Sequence, residues 1–156
     1  MRTDKPINVA AAVLIHENKV LMARRHGSYL DNLWEFPGGK LEKDETTEAA
    51  VKRELMEELN IDVIPEKTQL VLEHSYPDKT IRLHFVSCHF AEPIEENFAK
   101  TCNNKETNWF IPSQLPLTDI CPADRIACTN LPWQLIIKNN KTNNIDEDEP
   151  LILVIN

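Results

Sequence analysis

The chain of 156 residues contains three glycines, and two of them are adjacent, Gly38-Gly39. A chain so poor in glycine places such a pair where the backbone must bend or approach another group closely. The clearest helical pattern follows directly, over residues 46–59. Thr46 is a favoured N-cap, Glu48 falls in the first turn where the helix dipole favours an acid, and Asn60 stands where a left-handed residue commonly ends a helix. Val51, Leu55 and Leu59 repeat every four residues as an apolar stripe. Glu54, Glu57 and Glu58 are three and four residues apart and share the neighbouring face, where Ala50 offers no bulk to cover them. The strongest local constraint is thus a glycine bend followed by a helix with one apolar stripe and one triply acidic face.

Like charges one turn apart repel. Solvent relieves the repulsion, and so do hard cations. Mg²⁺ takes oxygen ligands and keeps several waters, which suits a phosphate substrate. A carboxylate beside such an ion is placed to deprotonate a bound water. A solvated acidic helix face has the same spacing, and the helix alone does not separate the two readings. Composition narrows the partner. Lys and Arg total 17 against 25 Asp and Glu, a formal net charge of -8. Such a surface repels phosphate backbones, which disfavours a general nucleic-acid binder. An acidic protein that handles an anionic substrate needs cations at its site.

The remaining chain reads as a mixed α/β domain with helices covering a sheet. Residues 7–15 and 20–23 form a hairpin leading to Arg24-Arg25, and residues 34–36 are a short strand ending at Pro37-Gly38-Gly39. Residues 69–75 and 80–91 are long apolar stretches joined by the turn Tyr76-Pro77-Asp78-Lys79. Residues 95–105 read as a loop, 108–111 as a strand, 112–115 as one helical turn, and 122–131 as a final helix stopped by Pro132. Residues 138–150 are polar and build no core; the apolar residues 151–155 are expected as an edge strand paired with residues 134–137. Cys88, Cys102, Cys121 and Cys128 have no zinc spacing, and buried thiols of a reducing compartment are the expected state. The N-terminal apolar run is too short for a membrane span and lacks a signal-peptide pattern, so a cytoplasmic location is expected. The five histidines show no ligand spacing.

Gly39, Glu45, Arg53-Glu54-Leu55, Glu57-Glu58 and Ile61 resemble the Nudix box: a Gly, five residues, a Glu, seven residues, then Arg-Glu-aliphatic-x-Glu-Glu-x-Gly-aliphatic. Every specified position matches except the second Gly, here Asn60, which touches helix termination rather than chemistry. Trp34-Glu35-Phe36-Pro37-Gly38-Gly39-Lys40, Asn108-Trp109-Phe110 and Cys121-Pro122-Ala123-Asp124 look like the MutT-like branch, so that the resemblance spans roughly residues 6–131. It implies a Nudix-type α/β/α sandwich with a mixed β-sheet and a catalytic loop-helix. The domain would occupy residues 1–138, with residues 139–156 as a polar linker and apolar C-terminal segment.

The resemblance also implies Mg²⁺-dependent hydrolysis of (deoxy)nucleoside triphosphates to monophosphate and pyrophosphate, with Mn²⁺ able to substitute. The Gly38 carbonyl, Glu54, Glu57 and Glu58 would bind metal, Glu54 would be the base, and Arg53 would orient the carboxylates with Glu45 as its partner. Arg25, with Arg24 as the alternative, would meet a phosphate; Phe36 and Asp124 would serve the base. Ionised Asp only accepts hydrogen bonds, which fits a cytosine amino group or the N1 and N2 hydrogens of an oxidised guanine, as in CTP/dCTP or 8-oxo-dGTP. Asp124 is also a good helix cap. A family Glu that assists the metals falls at Asn103, with Glu106, Glu95 or Glu96 as replacements. The expected partner is a nucleoside triphosphate, with no nucleic-acid polymer or membrane, for a monomer or homodimer. The competing readings are a Nudix hydrolase of ADP-ribose or a dinucleotide, and a non-catalytic nucleotide-binding module.

Overall fold

The computed structural model describes residues 5–27, 30–93, 101–102, 105–142 and 149–155. The strands are β1 (Ile7–His16), β2 (Lys19–Arg24), β3 (Trp34–Glu35), β4 (Gly38–Lys40), β5 (Val63–Ser75), β6 (Thr80–Phe90), β7 (Thr101–Cys102), β8 (Lys105–Phe110) and β9 (Leu151–Ile155). The helices are α1 (Thr47–Leu59), α2 (Pro122–Asn130) and α3 (Trp133–Thr142). One mixed sheet runs in the order β7-β8-β2-β1-β6-β5-β9, with β3 beside β2 and β4 beside β1.

β1 organises the molecule. It lies parallel to β6 from Ile7 to Leu14, and on its other side it changes partner. Val9, Ala10 and Ala11 pair with β4, whereas Ile15 and His16 pair with β2 across the turn at Glu17-Asn18. Both turn residues have positive φ, 50° and 65°, as a tight hairpin of matching twist demands. Every residue from Ala10 to Ile15 is buried, because both faces of the sheet are covered. Ala10, Ala12 and Leu14 join Val51, Leu55 and Leu59 of α1 in one core. Ala11, Val13 and Ile15 join Ala127 and Cys128 of α2 and Ile136 of α3 in the other. The expected three layers are therefore present. The small side chains of Ala10 and Ala12 leave room for α1 to lie close over the strand that carries the glycine bend.

Four expectations need correction. β5 begins at Val63, six residues before the apolar stretch that marked it, and includes Pro65. Proline is tolerated there because β9 pairs only from Leu70 onward and the β5–β6 register shifts between Pro65 and Lys67. Thr101–Cys102 is a strand paired with Glu106 and Lys105, inside the stretch read as loop. Pro132 ends α2 but also opens α3, whose Ile136 N–H bonds to the Pro132 carbonyl at 3.0 Å. α3 takes up residues 134–137, and residues 138–142 of the polar run are helical too. β9 consequently pairs elsewhere: it lies parallel to β5, Leu70 opposite Leu151 through His74 opposite Ile155. Among the described residues, no helix is long and apolar enough to cross a membrane.

Candidate active site

The glycine bend sits where α1 crosses β4. Gly38 has φ +155°, and a Cβ there would overlap the Ala10 carbonyl, so the bend requires glycine. Gly39 leaves room for a side chain rather than for backbone. A Cβ on it would lie 2.5 Å from Oε1 of Glu54 and 2.8 Å from Oε2. The Glu54 carboxylate is thus seated flat against the Gly39 backbone. α1 delivers it there: the Thr46 hydroxyl accepts the Ala49 N–H at 3.1 Å, and Asn60 closes the far end in the left-handed region, φ 56° and ψ 38°.

Arg53 ties the cluster together. Its Nε and Nη2 donate to the two oxygens of Glu45, each at 2.8 Å, a bidentate pair. Nη1 donates to Glu54 Oε1 at 2.9 Å and to Glu57 Oε2 at 3.2 Å, and Nη2 also reaches the Lys40 carbonyl at 3.1 Å. These bonds push the Glu45 carboxyl down to about 2, with the Glu42 backbone N–H adding to the Arg53 effect. They raise the Arg53 guanidinium above its already high value. Glu45, Arg53 and Glu54 are well shielded and Glu57 is exposed, so the face grades from a fixed inner edge to an open outer one. Lys52, the neighbouring cation, turns away to Asp62 at 2.7 Å and to the Val63 carbonyl.

The donor chemistry fits a hard divalent cation. Glu42, Glu45, Glu54 and Glu57 are four carboxylates gathered around one guanidinium, and Arg53 donates to one oxygen of Glu54 and one of Glu57. The side-chain donors on this face are all oxygens, the set that Mg²⁺ prefers.

A second, buried cluster lies on the other side of the sheet. Asp124 is 7% exposed and accepts the Phe36 N–H at 3.1 Å. It is not the helix cap. Cys121 is the N-cap residue of α2, without a side-chain cap bond, and Asp124 stands one turn in. Burial, followed by the charge of Glu35, pushes its carboxyl up to about 7. Glu35, Cys121 and Asp124 bring ligand-type atoms within 4.8 Å of one another. Burial and the two carboxylates also push the Cys121 thiol up to about 11. Arg25 leans in, with Nη1 3.5 Å from Glu35, and its guanidinium already supplies the positive charge here. The cluster therefore suits hydrogen bonding rather than a cation.

Arg24 and Arg25 now differ clearly. Arg24 stacks 4.2 Å over the Trp34 ring and donates to the Asn32 carbonyl at 2.6 Å, while Arg25 reaches the half-buried Glu35 carboxylate. Glu106 is 3.5 Å from Arg24. Asn103, Glu95 and Glu96 lie outside the described residues. Phe36 is 4% exposed, its ring edge-on to Phe85 and near-parallel to Trp133. Glu35 escaped the sequence reading. Its only signal was position, a charged residue between two aromatic ones in a strand that both Arg25 and Asp124 flank. The two clusters are close along the chain: Gly39 is three Cα steps from Phe36, at most about 11 Å of extended backbone.

Residues 6–129 match the NUDIX domain. Over 87 residues the chain is 41% identical to the 8-oxo-dGTP diphosphatase of Proteus vulgaris, covering 54% of this chain and 78% of that protein. It is 38% identical over 81 residues to the CTP pyrophosphohydrolase of Escherichia coli (strain K12), covering 51% and 60%. The solution structure of the MutT protein of methicillin-resistant Staphylococcus aureus 252 superposes with a TM-score of 0.64 at 31% identity, covering 87% of this chain and 99% of that one. The box, the seat of Glu54 on Gly39, the three-layer sheet and these likenesses agree: the chain belongs to the Nudix family of hydrolases, among relatives that cleave acid anhydrides.

Proposed function

We propose that this chain hydrolyses (deoxy)nucleoside triphosphates to monophosphate and pyrophosphate with Mg²⁺, acting on 8-oxo-dGTP or on CTP/dCTP-type substrates. The observation that carries the reading is the Glu54 carboxylate held against Gly39 by Arg53. Glu54, Glu57, Glu58 and the Gly38 carbonyl would hold the metal, which supplies charge for the phosphate oxygens and acidity for a bound water. Glu54 is the base, because Arg53 fixes one of its oxygens and leaves the other for a proton. Glu45 keeps Arg53 in place. Arg25, beside Glu35, turns toward a substrate phosphate, and the domain that carries all of this spans residues 1–138.

The base subsite lies at Phe36 and Asp124. A carboxyl whose proton leaves near neutrality both accepts and donates hydrogen bonds within the physiological range. That supports oxidised guanine and cytosine alike and explains why neither is chosen by residue type alone. The names of the two curated relatives bracket the same pair of bases.

The test is kcat/KM with Mg²⁺ for 8-oxo-dGTP, dGTP, CTP, dCTP and 5-methyl-dCTP beside ADP-ribose and a dinucleoside polyphosphate, read as released pyrophosphate or monophosphate. The reading predicts pyrophosphate from at least one triphosphate and at most weak turnover of ADP-ribose. Turnover of the diphosphate derivatives alone overturns it, and binding without turnover of any nucleotide makes the chain a sensor.

A further inference from the structure

We propose that the chain forms a closed two-fold dimer by antiparallel pairing of β9 with β9 of a second copy, centred on Leu153. The observation is independent of the hydrolytic reading. β9 ends the sheet, so its outer backbone groups face no strand among the described residues. Natural edges are usually guarded by a charge, a proline, a bulge or brevity. β9 has none of these within its five residues, Leu-Ile-Leu-Val-Ile. Leu153 and Ile155 pack toward the core that includes α3. Leu151, Ile152 and Val154 are 47%, 64% and 62% exposed, among the most exposed large apolar side chains of the described chain.

The occupant follows from the two ends of the sheet. Among the described residues the opposite edge is β7, two residues long. A head-to-tail contact of β9 with β7 would leave most of β9 unpaired, so open growth by that route is poorly matched. The edge of equal length and equal character is β9 itself, and pairing like with like closes the assembly at two copies. Antiparallel register about Leu153 sets Leu151 opposite Ile155, Ile152 opposite Val154, and Leu153 opposite its own copy. Each pair is apolar, and paired residues share a face, so the exposed Ile152 and Val154 meet their counterparts.

Charge selects the orientation. Glu149 is exposed and stands just before the strand. A parallel pair would set Glu149 beside Glu149, which is unfavourable. The antiparallel pair sends it beyond Ile155 of the partner, to the end where β9 lies level with His74 and the following turn carries Lys79 over Tyr76. β9 is three strands from β1, about 14 Å at ordinary strand spacing, so dimerisation leaves the Glu54 cluster untouched.

The experiment is sedimentation equilibrium of the full chain over a wide concentration range, on wild type and on Ile152→Lys/Val154→Lys. The wild type should reach a dimer and stop there. In the double variant each introduced charge lies opposite another, so the dissociation constant should rise at least about tenfold. Far-UV circular dichroism and melting should remain those of the folded monomer. Register is read separately with Leu153→Cys, which should cross-link to its own copy under mild oxidation far faster than Leu151→Cys or wild type, since Cβ atoms of opposed residues lie about 4.5–5.5 Å apart. A monomer at every concentration overturns the proposal. So does a dimer that survives the double variant, or a wild type that continues into larger polymers.

Discussion

Two carboxyl groups on opposite sides of one sheet are driven in opposite directions. On the α1 side, Glu45 is hydrogen-bonded by both arms of the Arg53 fork and its carboxyl falls to about 2. On the α2 side, Asp124 is buried beside Glu35 and its carboxyl rises to about 7. The residue types are nearly the same. What differs is the company: a bidentate guanidinium in one case, desolvation and a like charge in the other. The first arrangement keeps Glu45 ionised at every physiological pH, which is what holding Arg53 against Glu54 requires. The second keeps a proton within reach of neutrality, which is what reading hydrogen-bond donors and acceptors on a base requires. Only Pro37 and Gly38 stand between Phe36 of one regime and Gly39 of the other.

The contrast is most easily broken at Glu54. Replacing it with Gln retains shape and removes both charge and basicity, so kcat should fall about 10²–10⁴-fold, the usual range for a general base. Circular dichroism should be unchanged. Turnover within tenfold of wild type would move the base to another carboxylate of the cluster.

Arg53→Lys comes next. Lysine keeps the charge but cannot span both oxygens of Glu45 while reaching Glu54. Partners that orient metal ligands typically change metal affinity or activity 10–100-fold, and a loss of that size is expected, visible as a raised Mg²⁺ requirement. The acid limb of stability tests the same bond. Glu45 has a lowered folded value, so its contribution is present above the ordinary value of 4.5 and is lost as pH falls toward about 2. Wild type and variant should therefore converge in Tm as pH falls through that window. A constant gap would deny Glu45 its role.

Asp124→Asn probes the other side, with a smaller effect. The folded carboxyl holds its proton up to about 7, against 3.8 when unfolded, so the folded state binds more protons in between. Stability then declines as pH rises through that window. Asn keeps an acceptor for the Phe36 N–H and carries no charge. The variant should gain on wild type by a few degrees in Tm between pH 5 and pH 8, given that about 1 kcal/mol moves Tm by about 2–4 °C in a chain of this size. Wild type is expected to show an inflection near pH 7 in kcat/KM, and the variant to lack it. An inflection that persists in the variant assigns it to another group.

The α1 pole was legible in the sequence because its information is local. Thr46, Asn60 and the stripe Val51-Leu55-Leu59 state where the helix starts, ends and faces, and helical spacing alone puts Glu54, Glu57 and Glu58 together. The α2 pole was only half legible. Asp124 could be singled out, but its burial, its bond to Phe36 N–H and the nearness of Glu35 depend on contacts 88 residues apart in sequence. The C-terminal region misled for related reasons. Pro132 signals a stop, yet proline also opens helices, and Trp133, Ile136 and Ile137 supply a face that packs despite the polar residues around them. The partner of β9 is a strand some eighty residues earlier, pinned by parallel register that no local pattern records.

The last handle is the residue where this chain leaves the Nudix box. Asn60 adopts φ 56°, its N–H bonds to the Met56 carbonyl at 3.1 Å, and the Ile61 N–H reaches back to Leu55 at 3.2 Å. Those two bonds satisfy the final carbonyls of α1 and send Ile61 into the core beneath it. Glycine reaches the same backbone without strain but adds freedom to the unfolded chain, so Asn60→Gly should shift stability by about 1 kcal/mol or less in either direction. Valine must bear the left-handed conformation at a cost of roughly 1–2 kcal/mol, a fall of a few degrees in Tm. Neither should alter kcat at 25 °C, because Glu54 is anchored by Arg53 and Gly39, one and a half turns upstream of the cap. A fall in kcat for Asn60→Val at temperatures where it is fully folded would show that the helix end also sets the outer ligands Glu57 and Glu58. The fixed inner edge and the open outer edge of the acidic face would then prove to be positioned by different ends of the same helix.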